Sequence, residues 1–197
     1  MGGGDKPLVE IGGVPMLMRA SKCLRPQVAH LALNANGDPA RFARFELPVV
    51  ADTIDGFAGP LAGILAGMRW ATRTLPEARF VASAAADTPF FPKNLVARFA
   101  EGGHGEETIA LAASAAGVHP VFGLWPVALA DDLEQFLVRG ESGKILAYVD
   151  RHARVDVRFE DIVLPNGERV DPFFNVNTPD DAARAQEIAS ALDGTKA

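Results

Sequence analysis

The sequence predicts an α/β protein of the three-layer, Rossmann-like type, in which helices cover both faces of a mostly parallel central sheet. Short apolar runs alternate along the chain with segments of helical spacing, and three of those runs stop at a polar side chain, namely Asn34, Asp52 and Asp87. The carboxyl ends of parallel strands meet at one edge of a sheet, which is where open α/β sheets bind ligands. We therefore expect these three side chains to share that edge.

Composition sets the class of protein. With 197 residues, 48% hydrophobic and 22% charged, we expect one domain over residues 1–197, with a tail at 190–197 that frays. A net charge of −6 without a long basic run argues against nucleic acid as a partner. No apolar run approaches the ~20 residues of a membrane span, and we expect no secretory leader. The single cysteine, Cys23, excludes an intramolecular disulfide, and we expect a cytoplasmic protein. We expect Cys23 itself to be a half-buried, inert thiol.

The first residues, MGGGDK, combine a glycine cluster with Lys6. Glycines let backbone N–H groups approach an anion, and a nearby lysine supplies a point charge for phosphate. The spacing does not match a Walker motif, so a solvated tail is the alternative interpretation.

The next elements follow in alternation. Proline at the first turn predicts helices beginning at Pro15 and Pro60, and Asp38 caps a short helix between them. Apolar runs at residues 28–33 and 48–51 predict the intervening strands.

The stretch at residues 80–92, FVASAAADTPFFP, is the centre of the prediction. Residues 80–86 are apolar and lack helical spacing, which is typical of a strand covered on both faces. Asp87 ends that strand, and Pro92 then begins a helix. Asp87 either binds a metal or ligand at the sheet edge, or only ends the strand and caps a turn.

The second half predicts strands at 108–113 and 118–125, a helix from 126 that stops at 140, a helix at 145–150 and a strand at 153–159. A turn at 165–167 indicates a small hairpin, residues 173–177 a short strand with both asparagines on one side, and Thr178 the cap of the last helix. We expect His119 to be structural. Lys144 opposes the helix dipole, which hints at an anionic ligand, although a solvated lysine is the default.

Seven motifs occur in order along nearly the whole chain, namely GGGDKPL, LNAN, VVADT, GPLAG, AADTP, HPVFGLW and FNVNTPDD. This series resembles the molybdenum cofactor guanylyltransferase (MobA) family, and FNVNTP is its most specific member. The resemblance implies a nucleotide-diphospho-sugar-transferase-like fold. It also implies transfer of GMP from GTP to molybdopterin-bound molybdenum cofactor, with Mg²⁺ as the metal and pyrophosphate as the second product. Other cofactor-biosynthesis proteins and acceptor molybdoenzymes are implied partners.

The resemblance also assigns residues on the nucleotide side. Lys6 is similar to the family lysine that contacts the GTP phosphates, and Asn34 and Asp52 to polar residues of the guanosine site. Asp87 is similar to the residue that meets both the nucleotide and Mg²⁺, so Lys6 and Asp87 would be the catalytic pair. Chemistry agrees, because transfer at phosphorus needs positioning and charge neutralisation rather than a covalent nucleophile.

On the acceptor side, Asn175 and Asn177 resemble residues that face the pterin. The family also has a strand and an L-A-G-G loop directly before M-G-G-x-D-K, and this sequence begins inside that motif. We therefore expect the natural chain to be longer.

Two alternatives stay open at this point. One is a related nucleotidyltransferase that uses CTP on the same pterin, against which NVNTP argues. The other is a truncated, non-catalytic relative that binds pterin or a partner protein. A dehydrogenase fits less well, since no G-x-G-x-x-G follows a strand.

Overall fold

The computed structural model describes residues 6–54, 59–102, 105–140 and 144–194. Its strands are β1 Glu10–Ile11, β2 Val14–Pro15, β3 Leu33–Asn34, β4 Val49–Val50, β5 Phe80–Ser83, β6 Ile109–Ser114, β7 Gly117–Pro126, β8 Arg154–Arg158, β9 Ile162–Val163 and β10 Arg169–Val170. Its α-helices are α1 Met16–Leu24, α2 Pro60–Thr74, α3 Leu95–Glu101, α4 Ala130–Val138, α5 Ile145–Val149 and α6 Pro179–Asp193. Short 3₁₀ segments cover Lys6–Leu8, Arg25–Gln27, Pro39–Phe45 and Val127–Leu129.

The central sheet has four strands in the order β5-β7-β6-β8. It is mixed, because β6 and β7 form a hairpin and β7 therefore runs against both of its neighbours. β6 and β8 pair in parallel, so β5, β6 and β8 all point the same way. The predicted α/β class is confirmed, with β7 as the exception to the expected parallel sheet. The ends of β5 and β6 lie at the same edge.

Helices pack on both faces of this sheet, which gives the predicted three layers. Side chains of β6 alternate between the two faces: Ile109 and Leu111 pack with α2, α4 and α5, whereas Ala110 and Ala112 pack with α1 and α3. Every residue of β6 is buried. The apolar periodicity of the sequence is therefore satisfied on both sides.

Strands β3 and β4 form a separate parallel pair, with Leu33 opposite Val49 and Asn34 opposite Val50. Within the described residues this pair is not hydrogen-bonded to the four-stranded sheet. The expectation that the three strand ends share one sheet edge is therefore wrong in its simple form. Both predicted strands also shorten to two residues.

An apolar groove of about 250 Å³ lies between the β3–β4 pair and β5. Leu33 and Val50 line one side, Val81 and Ser83 line the other, and α1 and α2 contribute the remaining walls. Because of this groove, β5 is half-buried rather than covered on both faces as predicted.

The C-terminal part differs from the prediction in one place. Residues 173–177 are a loop rather than a strand, because the Phe173 and Phe174 amides turn back onto Asp171 instead of pairing with a neighbouring strand. The predicted hairpin is present as β9 and β10. Helix α6 continues through 190–193, where we expected fraying, and residues 195–197 lie outside the described part. No helix described here has the length and apolarity needed to cross a membrane.

Candidate active site

The first polar cluster joins Lys6, Asp87 and Asn177. The Lys6 ammonium donates to Oδ2 of Asp87 at 2.8 Å and to Oδ1 of Asn177. The Lys6 and Asp87 side chains are about a quarter exposed, at 27% and 24%. Lys6 and Asp87, which the resemblance assigns to the nucleotide side, therefore meet Asn177, which it assigns to the pterin side.

The position of Asn177 is fixed by the start of α6. Oδ2 of Asp181 accepts the backbone N–H groups of Asn177 at 2.9 Å and Thr178 at 2.8 Å, and the Asp181 amide donates back to Oγ1 of Thr178. This is the capping box that the sequence Thr178-Pro179 led us to expect in part. The backbone hydrogen bonds, first from Asn177 and then from Thr178, lower the pKa of Asp181.

Asp87 is tied to the same segment from its backbone. The amide of Val176 donates to the carbonyl oxygen of Asp87 at 3.0 Å, while Val176 itself is fully buried. The loop after β5 and the loop before α6 are thus held side by side, and their polar side chains project toward Lys6.

The second cluster consists of Asn34, Asn36 and Asp52. Oδ1 of Asp52 accepts from Asn34 at 2.8 Å, and Oδ2 accepts from Asn36 at 2.7 Å. Oδ1 of Asn36 in turn accepts the backbone N–H of Asp52 at 2.9 Å. Our sequence prediction missed Asn36, although its signal was present, since positions i and i+2 of an extended segment project to the same side.

The N-terminal part of α2 packs directly on this second cluster. A Cβ atom at Gly63 would collide with the Asn34 side chain, so the close approach requires glycine. Asn34 and Ala86 both line the groove between β3 and β5, and Asp87 follows Ala86. The two polar clusters therefore border one groove.

The predicted site residues are not all gathered at one place. Lys6, Asp87 and Asn177 are in contact, and Asn34 contacts Asp52, but among the residues that the structure describes no hydrogen bond joins these two groups. Asn175 is exposed, and within the described ranges no hydrogen bond joins its side chain to Lys6 or Asp87.

The donor set fits a metal that arrives with a phosphate-bearing ligand. Among the described residues there is no group of three or more acidic, histidine or cysteine side chains that could hold an ion alone. Mg²⁺ is commonly held by one or two carboxylates, with substrate phosphates and water completing its six ligands, and Asp87 can supply one carboxylate. Cys23 is unsuited to this chemistry, because burial raises the pKa of its thiol to about 11, in agreement with the predicted inert role.

Comparison with known proteins identifies the family of this chain. The family model for the MobA-like NTP transferase domain matches residues 1–155. A molybdenum cofactor guanylyltransferase of Rhodopseudomonas palustris (strain BisB5) is 50% identical over 190 residues, which cover 96% of this chain and 88% of the relative.

Solved structures show the same fold. Molybdopterin-guanine dinucleotide biosynthesis protein A from Archaeoglobus fulgidus superimposes with a TM-score of 0.69 at 22% identity, covering 95% of this chain and 92% of that one. A Mycobacterium tuberculosis protein solved in complex with manganese superimposes with a TM-score of 0.64 at 20% identity, covering 94% and 93%. The chain belongs to the MobA-like NTP transferase family, among the molybdenum cofactor guanylyltransferases.

Proposed function

We propose that this protein transfers GMP from GTP to the terminal phosphate of molybdopterin-bound molybdenum cofactor, and so forms the guanine dinucleotide cofactor. The observation that carries the proposal is the ion pair of Lys6 with Asp87, closed by Asn177. It brings a cation for phosphate, a carboxylate for a metal and an amide from the predicted pterin side to one point. The close relatives named for this reaction support the assignment.

The reaction proposed is a single displacement at phosphorus. An oxygen of the molybdopterin phosphate forms a bond to the α-phosphorus of GTP, and the bond from that phosphorus to the α,β-bridging oxygen breaks. The electron pair leaves with pyrophosphate. Since the attacking phosphate is already an anion, the site needs no side-chain nucleophile and no general base. What it must supply is alignment and positive charge.

Lys6 is the chain's own source of that charge. Its ammonium is preoriented by Asp87 and Asn177, so a triphosphate entering the site meets a fixed cation rather than a mobile one. On ligand binding, Lys6 would exchange part of its contact with Asp87 for phosphate oxygens. Asp87 would then be released for the metal.

We assign Mg²⁺ as the metal and Asp87 as its protein ligand, which follows from the single carboxylate and the expected triphosphate. The bound ion would neutralise charge on the α-phosphate and on the leaving pyrophosphate. A divalent cation is in keeping with the manganese complex of the structural relative.

We assign the Asn34–Asn36–Asp52 cluster to the guanosine part of GTP. Guanosine presents ring and amino N–H groups and ribose hydroxyls as donors, and Asp52 offers two carboxylate oxygens that are already oriented by the two asparagines. The acceptor pterin would lie on the side of Asn175 and Asn177.

We place the reaction in the cytoplasm, because a chain with one cysteine, Cys23, depends on no disulfide of its own. Its product would pass to other cofactor-biosynthesis proteins or acceptor molybdoenzymes.

Titration calorimetry with GTP and CTP, each with and without Mg²⁺, tests the proposal. We expect GTP to bind with Mg²⁺ at least about tenfold more tightly than CTP, which corresponds to roughly 1.4 kcal/mol of base discrimination. Tighter binding of CTP would favour the cytidylyltransferase alternative. A folded chain that binds neither nucleotide would favour the non-catalytic one.

A further inference from the structure

A third polar cluster lies outside the two described above. Ser114 ends β6, His119 lies in β7, and Asp171 follows β10, so the cluster joins two neighbouring strands of the sheet to the loop before α6. Oγ of Ser114 lies 2.7 Å from Nε2 of His119 and 3.1 Å from Oδ2 of Asp171. Ser114 is buried, with 4% of its surface exposed.

The hydrogen bonds of Ser114 indicate which nitrogen of the His119 imidazole carries a proton. A serine hydroxyl has one proton and accepts two hydrogen bonds. Here the amide of Ala116 donates to Oγ at 3.1 Å, and the hydroxyl donates to the Asp171 carboxylate. The close contact with His119 is then satisfied only if Nε2 of the imidazole carries a proton and donates to Oγ. Every donor and acceptor of the hydroxyl is used in this arrangement.

The cluster leads directly into the segment that carries the candidate pterin residues. Oδ1 of Asp171 accepts the amide of Phe173 at 2.8 Å, and the imidazole of His119 stacks on the Phe173 ring with centroids 4.5 Å apart. At the other end of the same segment, the amide of Val176 donates to Asp87. The loop at 171–177 is thus fixed at one end by the sheet and at the other by Asp87, the candidate metal ligand.

The location of the cluster in the fold suits a role in holding the 171–177 loop. β5 and β6 run in the same direction, so Ser114 at the end of β6 and Asp87 beyond the end of β5 lie along the same edge of the sheet. Phe173 is buried against Phe122 and Phe159. Because this packing is tight, Phe173 cannot easily move to compensate for a shift of Asp171. The shift would instead be passed along the loop toward Asn175 and Asn177.

We infer that Ser114, His119 and Asp171 act as positioning residues that hold the 171–177 loop in the geometry needed for the acceptor substrate, while the guanosine cluster of Asn34, Asn36 and Asp52 is held by its own hydrogen bonds. The part of this inference that concerns the acceptor rests on the proposed function. The part that concerns the loop geometry does not. If the three residues contributed only to overall stability, substituting them would change the KM values for GTP and for the acceptor equally.

The first arm of the test measures amide hydrogen exchange by NMR on the full chain. In Ser114→Ala and Asp171→Ala we expect the amides of Phe173 and Val176 to exchange about tenfold faster or more, with the amides of β6 unchanged. Asp171→Asn, which keeps an acceptor for Phe173 and is milder for folding, should give an intermediate effect. Asp161→Asn is the control, since Asp161 pairs with Arg169 in the same hairpin but lies outside the cluster.

The second arm measures steady-state kinetics of GMP transfer for the same variants. We expect KM for the molybdopterin acceptor to rise about tenfold, while KM for GTP stays within about twofold because Lys6 keeps its contact with Asp87. His119→Gln, which keeps a donor toward Ser114, should recover part of the loss seen in His119→Leu.

The two arms separate the two claims. If the unaltered chain transfers no GMP, the proposed function fails, and the exchange measurement still decides the loop geometry. Wild-type exchange rates at Phe173 and Val176 in both alanine variants would overturn the inference. So would an equal rise in both KM values.

Discussion

Lys6 is the side chain at which the nucleotide and acceptor sides of the proposed reaction meet. Its ammonium contacts a carboxylate from the loop after β5 and an amide from the loop before α6. A lysine held in this way is a fixed point charge for phosphate, and its loss would leave the triphosphate without a cation supplied by this cluster.

Lys6→Ala should weaken GTP binding about tenfold or more, because a charge-assisted contact to phosphate contributes roughly 1.5–3 kcal/mol. Calorimetry on the purified variant gives the change directly. Lys22→Ala is the matched control, since Lys22 is an exposed lysine of α1 that belongs to neither polar cluster and does not line the groove. Equal GTP affinity in the Lys6 variant and the control would remove Lys6 from the site.

Asp87→Ala should reduce Mg²⁺-dependent turnover roughly hundredfold or more, because the variant lacks the carboxylate assigned to the metal. Thermal unfolding should change little, since an ion pair of side chains about a quarter exposed contributes only about 1 kcal/mol or less. The two measurements together distinguish a lost metal ligand from a damaged fold. Ordinary Mg²⁺-dependent turnover in Asp87→Ala would end the metal assignment.

At the scale of elements, α2 approaches the guanosine cluster at Gly63, and Gly67 in the same helix provides a comparison. A Cβ atom at Gly63 would collide with Asn34, whereas a Cβ atom at Gly67 would meet only Cγ1 of Val81 at an ordinary 3.5 Å. Both positions are helical, and alanine is favoured over glycine in a helix by about 1 kcal/mol. Comparing alanine substitutions at the two positions therefore isolates the effect of the contact with Asn34.

Gly67→Ala should stabilise the protein by up to about 1 kcal/mol and leave GTP affinity unchanged. Gly63→Ala should lower GTP affinity, because the new methyl group displaces Asn34 from Asp52. Denaturant unfolding and calorimetry on both variants measure the two effects. If Gly63→Ala binds GTP as well as Gly67→Ala does, then the Asn34–Asp52 contact is not part of the nucleotide site.

The start of α6 gives the fold a defined dependence on pH. Backbone hydrogen bonds from Asn177 and Thr178 place the pKa of Asp181 below its ordinary value, so the cap stabilises the folded state above the ordinary carboxyl pKa of about 4. That contribution is lost as the pH falls through the lower folded-state pKa. Asp181→Asn should therefore melt below the wild type at pH 7, and the difference should shrink in acid. A difference that is the same at both pH values would contradict this account of the cap.

Local sequence signals predicted the elements more completely than their arrangement. Proline at Pro60 and the capping signal at Thr178 located their helices within a residue, because both act through the nearest turn. The loop at 173–177 was missed because its conformation is set by Asp171 and by the carbonyl of Asp87, and the latter lies far away in the chain. The reversed direction of β7 could have been predicted, because only residues 114–117 separate the two predicted strands and a parallel crossover needs about a dozen residues or more.

At the scale of the whole molecule, the two polar clusters border opposite walls of one groove. Asp87 follows Ala86 on one wall and Asn34 lies on the other, although the two strands concerned belong to different sheets. The polar strand ends therefore face each other across a groove instead of meeting along one sheet edge as predicted. The grouping of Ser114, His119 and Asp171 is also a property of the whole fold, since Ser114 and Asp171 are 57 residues apart.

GMP transfer itself tests the central claim most directly. The chain would be incubated with Mg²⁺, molybdopterin-bound molybdenum cofactor and GTP labelled at the α-phosphate, and the label would be followed into the pterin product while pyrophosphate release is measured. We predict one labelled guanine dinucleotide for each pyrophosphate released, with labelled CTP giving at most a small fraction of that product. Preferred incorporation from CTP, or no incorporation from either nucleotide by a folded chain, would contradict the assignment as a guanylyltransferase.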